Sequence, residues 1–428
     1  MAATTSVEVA ALSDVGMRRT TNQDAYALLV ADTPDSLRER GHLLMVADGM
    51  GAHAAGELAS KLAADGVPHL YFKYRELAPA EALRRAIVET NTEIHRRGTA
   101  NADFHNMGTT CSVLVLAPLG ALVAHVGDSR VYRLRGNTIS QLTFDHSLQW
   151  ELKASGQLPE GSDLSAVVPK NVITRSLGPN PQVQIDMEGP FPIAEGDVYL
   201  LCSDGLTGRV EDGELGAILA SVPPQEAAQA LVDLANLRGG PDNITVLVAK
   251  VTGGELVTAG TAAALPAASA PGGDRRGGLV GLALLLLGGV AAGALLAIGQ
   301  PALAGISLLA GAALAAVAWV LLPGRGRGTS GGERLLGRGP YMNVVCSPSS
   351  DLVSKLAGTL DELREATHEG EWEINWQPLD ACCQQALAAS RAGNFAEATR
   401  AYCRGISFVM NELRSQNAKK AGDSAVPL

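Results

Sequence analysis

Short apolar runs recur along the first 250 residues, and each stops at a carboxylate beside a glycine. The run 43–47 leads into Asp48-Gly49-Met50-Gly51-Ala52-His53, the run 121–126 into Gly127-Asp128-Ser129, and Val198–Cys202 into Ser203-Asp204-Gly205. At Gly240-Pro241-Asp242-Asn243 the order is reversed, with the turn preceding the β-prone run 244–248. Apolar runs bounded by Gly, Asp and Asn predict buried strands ending in sharp turns. Four carboxylates at strand ends point to one hard-metal site. Two stretches have helical spacing instead: 80–97, with Leu83, Ile87 and Ile94 on one face, and 225–237, which follows Pro223-Pro224 and is rich in Ala and Leu. Long helices on antiparallel strands predict an α+β domain built as a layered sandwich over residues 1–252.

Beyond that domain the pattern changes twice. Residues 253–278 are dominated by Gly, Ala, Thr and Pro and predict a flexible linker. The segments 279–298 and 302–322 carry no charged residue and are separated by Gly299-Gln300-Pro301. Each matches the roughly 20 apolar residues that cross a bilayer as a helix, so 279–322 is expected to form a transmembrane hairpin. A pair of buried Ala-Gly helices in a soluble core is the alternative. Arg275 and Arg276 precede the first span and Arg325, Arg327, Arg334 and Arg338 follow the second. The positive-inside rule then places both flanks in the cytoplasm. After a Gly/Arg-rich linker, 323–340, residues 341–428 read as a small α-helical tail. There Gly393-Asn394-Phe395 forms a turn entering a helix, and Ala398, Tyr402 and Ile406 follow at one-turn spacing. This resembles part of a tetratricopeptide unit, with an ordinary helix-turn-helix as the alternative. Trp372 and Trp376 are placed over the same small core.

Composition narrows the function. A formal net charge of -10 argues against nucleic acid as a partner. Cys111, Cys202, Cys346, Cys382, Cys383 and Cys403 have neither metal-ligand spacing nor a disulfide framework, and read as reduced, small apolar residues. The first ten residues have no basic and apolar pattern of a cleaved signal peptide.

The chemistry lies in the acids. Oxygen donors without neighbouring His or Cys favour hard divalent ions, so Asp48, Asp204 and Asp242 suit Mg²⁺ or Mn²⁺ better than Zn²⁺. Two such ions can clamp an in-line attack on phosphorus. Gly49 beside Asp48 lets a backbone carbonyl approach a metal. Upstream, Gly16-Met17-Arg18-Arg19-Thr20-Thr21-Asn22-Gln23-Asp24 offers both another acid and a cation able to grip two phosphate oxygens.

Six ordered motifs now stand out: Thr21-Asn22-Gln23-Asp24, Ala47-Asp48-Gly49-Met50-Gly51-Ala52-His53, Met107-Gly108-Thr109-Thr110, Val126-Gly127-Asp128-Ser129-Arg130, Ser203-Asp204-Gly205-Leu206 and Gly240-Pro241-Asp242-Asn243-Ile244-Thr245. Together they resemble the metal-dependent type 2C (PPM) protein serine/threonine phosphatases in their bacterial form, over residues 7–251. The resemblance implies a four-layer α/β/β/α sandwich with a binuclear centre at one end, holding two ions of Mn²⁺ or Mg²⁺ and a third, weaker one. It implies that Asp48 bridges the two metals, that Gly49 gives its carbonyl, and that Asp204 and Asp242 complete the centre. Asp24 matches an acid that holds waters of the centre, and Asp128 the ligand of the third ion. Arg19 matches the phosphate-binding arginine, and His53 the histidine proposed as general acid in bacterial members.

Two positions depart from the pattern. Gln23 stands where the family usually has Glu, and Ala52 where it often has Gly; neither is a direct ligand. The stretch 143–171 resembles the flap beside the active site, in which His146 reads as structural. The resemblance implies hydrolysis of phosphoserine and phosphothreonine on proteins; with the expected hairpin, the enzyme would oppose serine/threonine kinases at the inner face of the membrane, with the tail as a candidate docking or regulatory module. The alternative is a catalytically weak, phosphoprotein-binding membrane scaffold acting through the tail.

Overall fold

The computed structural model describes residues 6–51, 54–154, 172–258, 297–298, 341–369 and 375–423. Its strands are β1 (Val7–Asp14), β2 (Asp24–Leu29), β3 (His42–Met50), β4 (Gly108–Thr109), β5 (Cys111–Ala117), β6 (Gly120–Val126), β7 (Arg130–Arg135), β8 (Thr138–Gln141), β9 (Asp186–Phe191), β10 (Val198–Cys202), β11 (Ile244–Val251) and β12 (Met342–Val345). They form two antiparallel sheets. One runs β1-β11-β10-β7-β8-β12; the other runs β2-β3-β5-β6-β9, with β4 paired to β3.

Alternation along the central strands explains the layering. On β3, Leu44 and Val46 enter the core between the sheets, with Leu114, Leu116 and Val123 from the same sheet and Tyr199, Leu201, Leu247 and Ala249 from the other. Their neighbours Leu43, Met45 and Ala47 point the opposite way, against Ala59, Ala63 and Val67 of α2 (Ala55–Lys73) and Leu83 and Ile87 of α3 (Pro79–Ala100). In the first sheet Leu200, Cys202, Val246 and Val248 face Leu215, Ile218 and Leu231. These residues belong to two helices, Asp212–Ser221 and Pro224–Leu237. Strands buried on both faces read as continuous apolar runs, which is why the run 43–47 shows no alternation in sequence. The arrangement is an α+β sandwich with helices outside each sheet.

Numbered in chain order, the helices are α1 (Pro34–Glu39), α2, α3, α4 (Leu148–Ala154), α5 (Asp204–Thr207), α6 (Asp212–Ser221), α7 (Pro224–Leu237), α8 (Ser350–Glu369), α9 (Trp376–Arg391) and α10 (Phe395–Asp423). The predicted helix 80–97 is the body of α3, and 225–237 is α7. Helix α2 was not expected, because Gly66 and Pro68 interrupt its pattern; Pro68 nevertheless lies inside it, buried between the helix and its neighbours.

The described residues from Tyr341 onward belong to the same compact unit as those up to Thr258. They are not purely helical: β12 pairs with the edge strand β8, Val344 opposite Ile139. Four residues are too few for a strand to declare itself by period. Helices α9 and α10 meet at the expected turn, where Gly393 adopts φ 75° and the Asn394 side chain accepts from the Glu397 N–H at 3.2 Å. Ala398, Tyr402 and Ile406 are buried, in one cluster with α6 and α7. Trp376 packs beside them, under the Arg364 guanidinium at 5.1 Å. The expected flexible linker 253–278 begins too early: Gly254–Leu256 form a short 3-10 turn with Leu256 buried in the core between the sheets. Trp372, residues 259–278, the linker 323–340 and nearly all of the expected hairpin 279–322 lie outside the described residues. Among those described, no helix is long and apolar enough to cross a membrane.

Candidate metal and phosphate site

Sheet register builds the centre of the site. Asp24 of β2 and Asp48 of β3 are direct cross-strand partners. Asp48 closes the long apolar run of β3 and is fixed by the next strand: its N–H donates to Thr110 Oγ1 at 2.8 Å, and its carbonyl accepts from Thr110 N–H and Thr109 Oγ1. Asp204 arrives from the other sheet, where β10 turns into α5. Asp242 arrives on the turn before β11. These two turns interlock, because a Cβ on Gly205 would stand 2.0 Å from the Asn243 carbonyl oxygen. Asp128 follows Gly127, whose φ of 114° turns the chain sharply out of β6.

Asn243 ties the acids to the arginine loop. Its Nδ2 donates to the carbonyls of Val15 at 2.9 Å and Thr21 at 3.0 Å, and its Oδ1 accepts from the Gln23 N–H at 2.8 Å. Met17 N–H donates to the Gly240 carbonyl at 2.8 Å. Arg19, exposed at the rim, reaches Asp242 Oδ2 through Nη2 at 2.8 Å. An ion pair this exposed contributes little to stability. Its importance is placement: a cation able to bind phosphate stands beside the carboxylates.

The electrostatics record the crowding. Burial, then the neighbouring Asp24, Asp204, Asp128 and Asp242, hold the Asp48 carboxyl well above the usual carboxylate range. Burial pushes Asp24 up to about 7 against the hydrogen bonds it accepts from Ser203 and Thr245, both at 2.7 Å on Oδ2. Asp128 is likewise pushed up to about 7 by burial, Asp204 and Asp145. Burial and Asp242 also raise Asp204.

Among the described residues, no three His, Cys, Asp or Glu side chains already converge on one ligand point. The fit to a metal rests on the donors themselves. All are oxygens, they repel one another, and Asp24 Oδ1 and Asp128 Oδ1 are buried without a hydrogen-bond partner. A hard divalent cation satisfies each of these features. Gly49 has a steric reason of its own to be glycine, since a Cβ would stand 2.1 Å from the Gly56 carbonyl oxygen.

Beside the acids opens a cleft of about 670 Å³, lined by Arg19, Asp128, Arg130, Asp204 and Asp242 and by Lys153 and Arg209 farther out. Arg130 is held by Asp145, with Nη2 at 2.6 Å from Oδ2. His146 is buried; its Nδ1 accepts from the Gly127 N–H at 3.0 Å and its Nε2 lies 3.1 Å from Asp186. It supports the turn that carries Asp128 and has no access to the cleft. His53, Ala52 and the flap residues 155–171 lie outside the described residues.

The structure thus brings Asp24, Asp48, Asp128, Asp204, Asp242 and Arg19 to one end of the sandwich. Sequence reasoning missed Ser203, Asn243 and Thr245, which hold the acids. All three sit inside the motifs already singled out, next to a ligand candidate, and that adjacency was the available signal.

A family model described as "Protein phosphatase 2C" matches residues 17–154. The chain is 38% identical over 245 residues to protein phosphatase PhpP of Streptococcus pneumoniae, covering 56% of this chain and 96% of that one. It is 39% identical over 211 residues to the serine/threonine phosphatase stp of Listeria welshimeri, covering 48% of this chain and 83% of the relative. Serine/threonine phosphatase Stp1 from Staphylococcus aureus superposes with a TM-score of 0.50 at 31% identity, over 58% of this chain and 96% of that structure. With nearly the whole of PhpP matched at 38% identity, the chain belongs to the bacterial PPM (type 2C) family of protein serine/threonine phosphatases.

Proposed function

We propose that the chain hydrolyses phosphoserine and phosphothreonine on proteins with two ions of Mn²⁺ or Mg²⁺. The observation that carries this reading is the crowding of Asp24, Asp128, Asp204 and Asp242 around the buried Asp48, beside a cleft lined by Asp128, Asp204, Asp242 and Arg19. Asp48, Asp204, Asp242 and the Gly49 carbonyl would hold the two ions, Asp24 would hold waters of the centre, and Asp128 would serve a third, weaker ion. Bound there, the ions supply positive charge and an activated water nucleophile. Arg19 binds two oxygens of the phosphate and orients it over the acids. Its exposed position supports that role, because it can swing from Asp242 to a substrate without unfolding any contact of the core. Ser203 and Thr245 keep Asp24 aimed into the site by donating to its Oδ2. His53 is assigned proton donation to the departing serine or threonine oxygen on the family pattern alone.

The reading extends to the membrane. Two uncharged spans at 279–298 and 302–322, flanked by arginines on both outer sides, support a hairpin in the cell inner membrane with the catalytic domain and the tail in the cytoplasm. There the enzyme would oppose a serine/threonine kinase.

The test is phosphate release from phosphoserine and phosphothreonine peptides by the full-length chain in detergent, with Mn²⁺ and Mg²⁺ each supplied and chelated. Turnover that follows the metal is expected; a folded, metal-supplied protein without turnover would contradict the proposal. Protease protection in sealed vesicles checks the topology, since both termini should be cleaved from the same side.

A further inference from the structure

The C-terminal helix α10 reaches the arginine loop through one side chain. Arg414 Nη2 donates to Asp14 Oδ2 at 3.1 Å, and its Nη1 lies 2.7 Å from Asp233 Oδ1 as an ion pair out of hydrogen-bond alignment. Asp14 closes β1, and Asp233 is a fully buried residue of α7. The other oxygen of Asp14 faces the loop: Oδ1 accepts from the Gly16 N–H at 2.8 Å and from Asn236 Nδ2 at 3.1 Å. Gly16 is at φ 81° and packed so closely on the turn before β11 that a Cβ would stand 2.2 Å from the Asp242 carbonyl oxygen. One residue on, Met17 bonds to Gly240, and Arg19 lies two residues farther.

A short relay therefore runs from α10 to the phosphate-binding loop. The Asp14 carboxylate cannot rotate without moving Gly16, and Gly16 cannot move without disturbing the Asp242 turn. We propose that Arg414 is a positioning residue for the reaction: by fixing Asp14, the tail sets the Arg19 loop against Asp242 and so tunes affinity for the phosphate group of the substrate. The relay acts on binding, because Arg19 orients the phosphate and performs no bond-making itself. This rests on the reading of Arg19 as the phosphate-binding residue.

The test uses the full-length protein with Mn²⁺, comparing wild type with Arg414→Met, Arg414→Lys, Asp14→Asn and Arg19→Ala. Expected for Arg414→Met is a KM for a phosphothreonine peptide, and an inhibition constant for inorganic phosphate, raised about 3- to 10-fold with kcat within about twofold. Arg414→Lys should recover most of the loss. Asp14→Asn keeps the acceptor for Gly16 and Asn236 and leaves the Asp233 contact intact; it should reproduce the effect, and the double variant should add nothing further. Unchanged KM and phosphate inhibition in Arg414→Met would overturn the proposal, as would a lowered melting temperature with no change in KM. If Arg414→Met does not fold, Asp14→Asn decides by the same criterion. Failure of Arg19→Ala to raise KM would remove the Arg19 reading itself and the relay with it.

Discussion

Asp24 and Asp48 face each other across adjacent strands, the one closing no apolar run of its own and the other ending the longest buried strand of its sheet. Like charges directly opposite in a sheet are destabilising. The fold accepts this pair and adds Asp204, Asp242 and Asp128 nearby, an arrangement that burial of carboxylates makes costly unless a cation joins them. The juxtaposition is the structural core of the functional reading, and it has consequences for stability as well as for chemistry.

Replacing Asp48 by Asn removes one member of the cluster. In chelator the variant should be more stable than wild type by about 1 kcal/mol, the scale of a relieved cross-strand repulsion. With Mn²⁺ added, the order should reverse, since wild type alone gains the binding energy. Thermal denaturation in the two buffers measures both. A variant less stable than wild type in chelator would show that the carboxylate is held by the protein and not strained by its neighbours.

Gly205 lets the Asp204 turn lie on the Asp242 turn, and any Cβ there would stand 2.0 Å from a backbone oxygen that has no room to yield. Gly205→Ala should therefore separate the two acids and lower kcat/KM by about 10-fold or more, on the scale of a small misplacement of catalytic groups. Its stability should fall by about 1–3 kcal/mol, as for other overpacked sites. Kinetics and denaturant unfolding of the same preparation check the two effects together.

Docking of the C-terminal residues makes a third prediction. Gly216 of α6 lies against Cys346, whose Sγ would be 2.2 Å from an added Cβ. Across the same interface Arg400 donates through Nη2 to the Ser221 carbonyl at 2.9 Å, and Arg404 bonds to Glu226. Gly216→Ala should loosen the contact by about 1–3 kcal/mol despite the better helix propensity of alanine. Faster proteolytic release of the segment after Tyr341 is the expected readout.

A histidine far from the acids makes a separable contribution to the pH dependence of stability. Burial lowers the pKa of His42 from 6.5 to about 4. Its Nδ1 accepts from the Ala31 N–H at 2.9 Å, a bond that protonation would remove. Between those two values the unfolded chain binds the extra proton and the folded chain does not, so stability rises with pH across the window and falls on acidification. The contribution is about 3 kcal/mol at full development. Relative to wild type in the same chelating buffer, His42→Gln should lower the slope of the stability–pH profile between pH 4 and 6.5 by up to one proton's worth, the contributions of the acids and of His125 being common to both proteins.

The ligand candidates were legible because each chemical residue ends or begins an apolar run. A strand buried on both faces must stop where it reaches solvent, so Asp48, Asp204 and Asp242 mark strand ends as well as a site. Helix α2 was hidden by Gly66 and Pro68, which are read locally as breakers while its packing on Leu43 and Met45 overrides them. The C-terminal contacts were invisible for another reason: Arg414 and Asp14 are 400 positions apart, and no periodicity connects them. Nor does spacing reveal that Ser203 and Thr245 both donate to Asp24, since the three meet only once β2, β10 and β11 are assembled.

The most direct test of the metal-centre claim is Mn²⁺ binding and phosphothreonine-peptide turnover measured on the same full-length preparation, for wild type and Asp204→Asn. Tight binding of two ions by wild type is predicted, with turnover that tracks their occupancy and falls about 100-fold or more in the variant. Equal turnover in chelator, or a variant that binds no second ion yet hydrolyses the peptide at the wild-type rate, would contradict it.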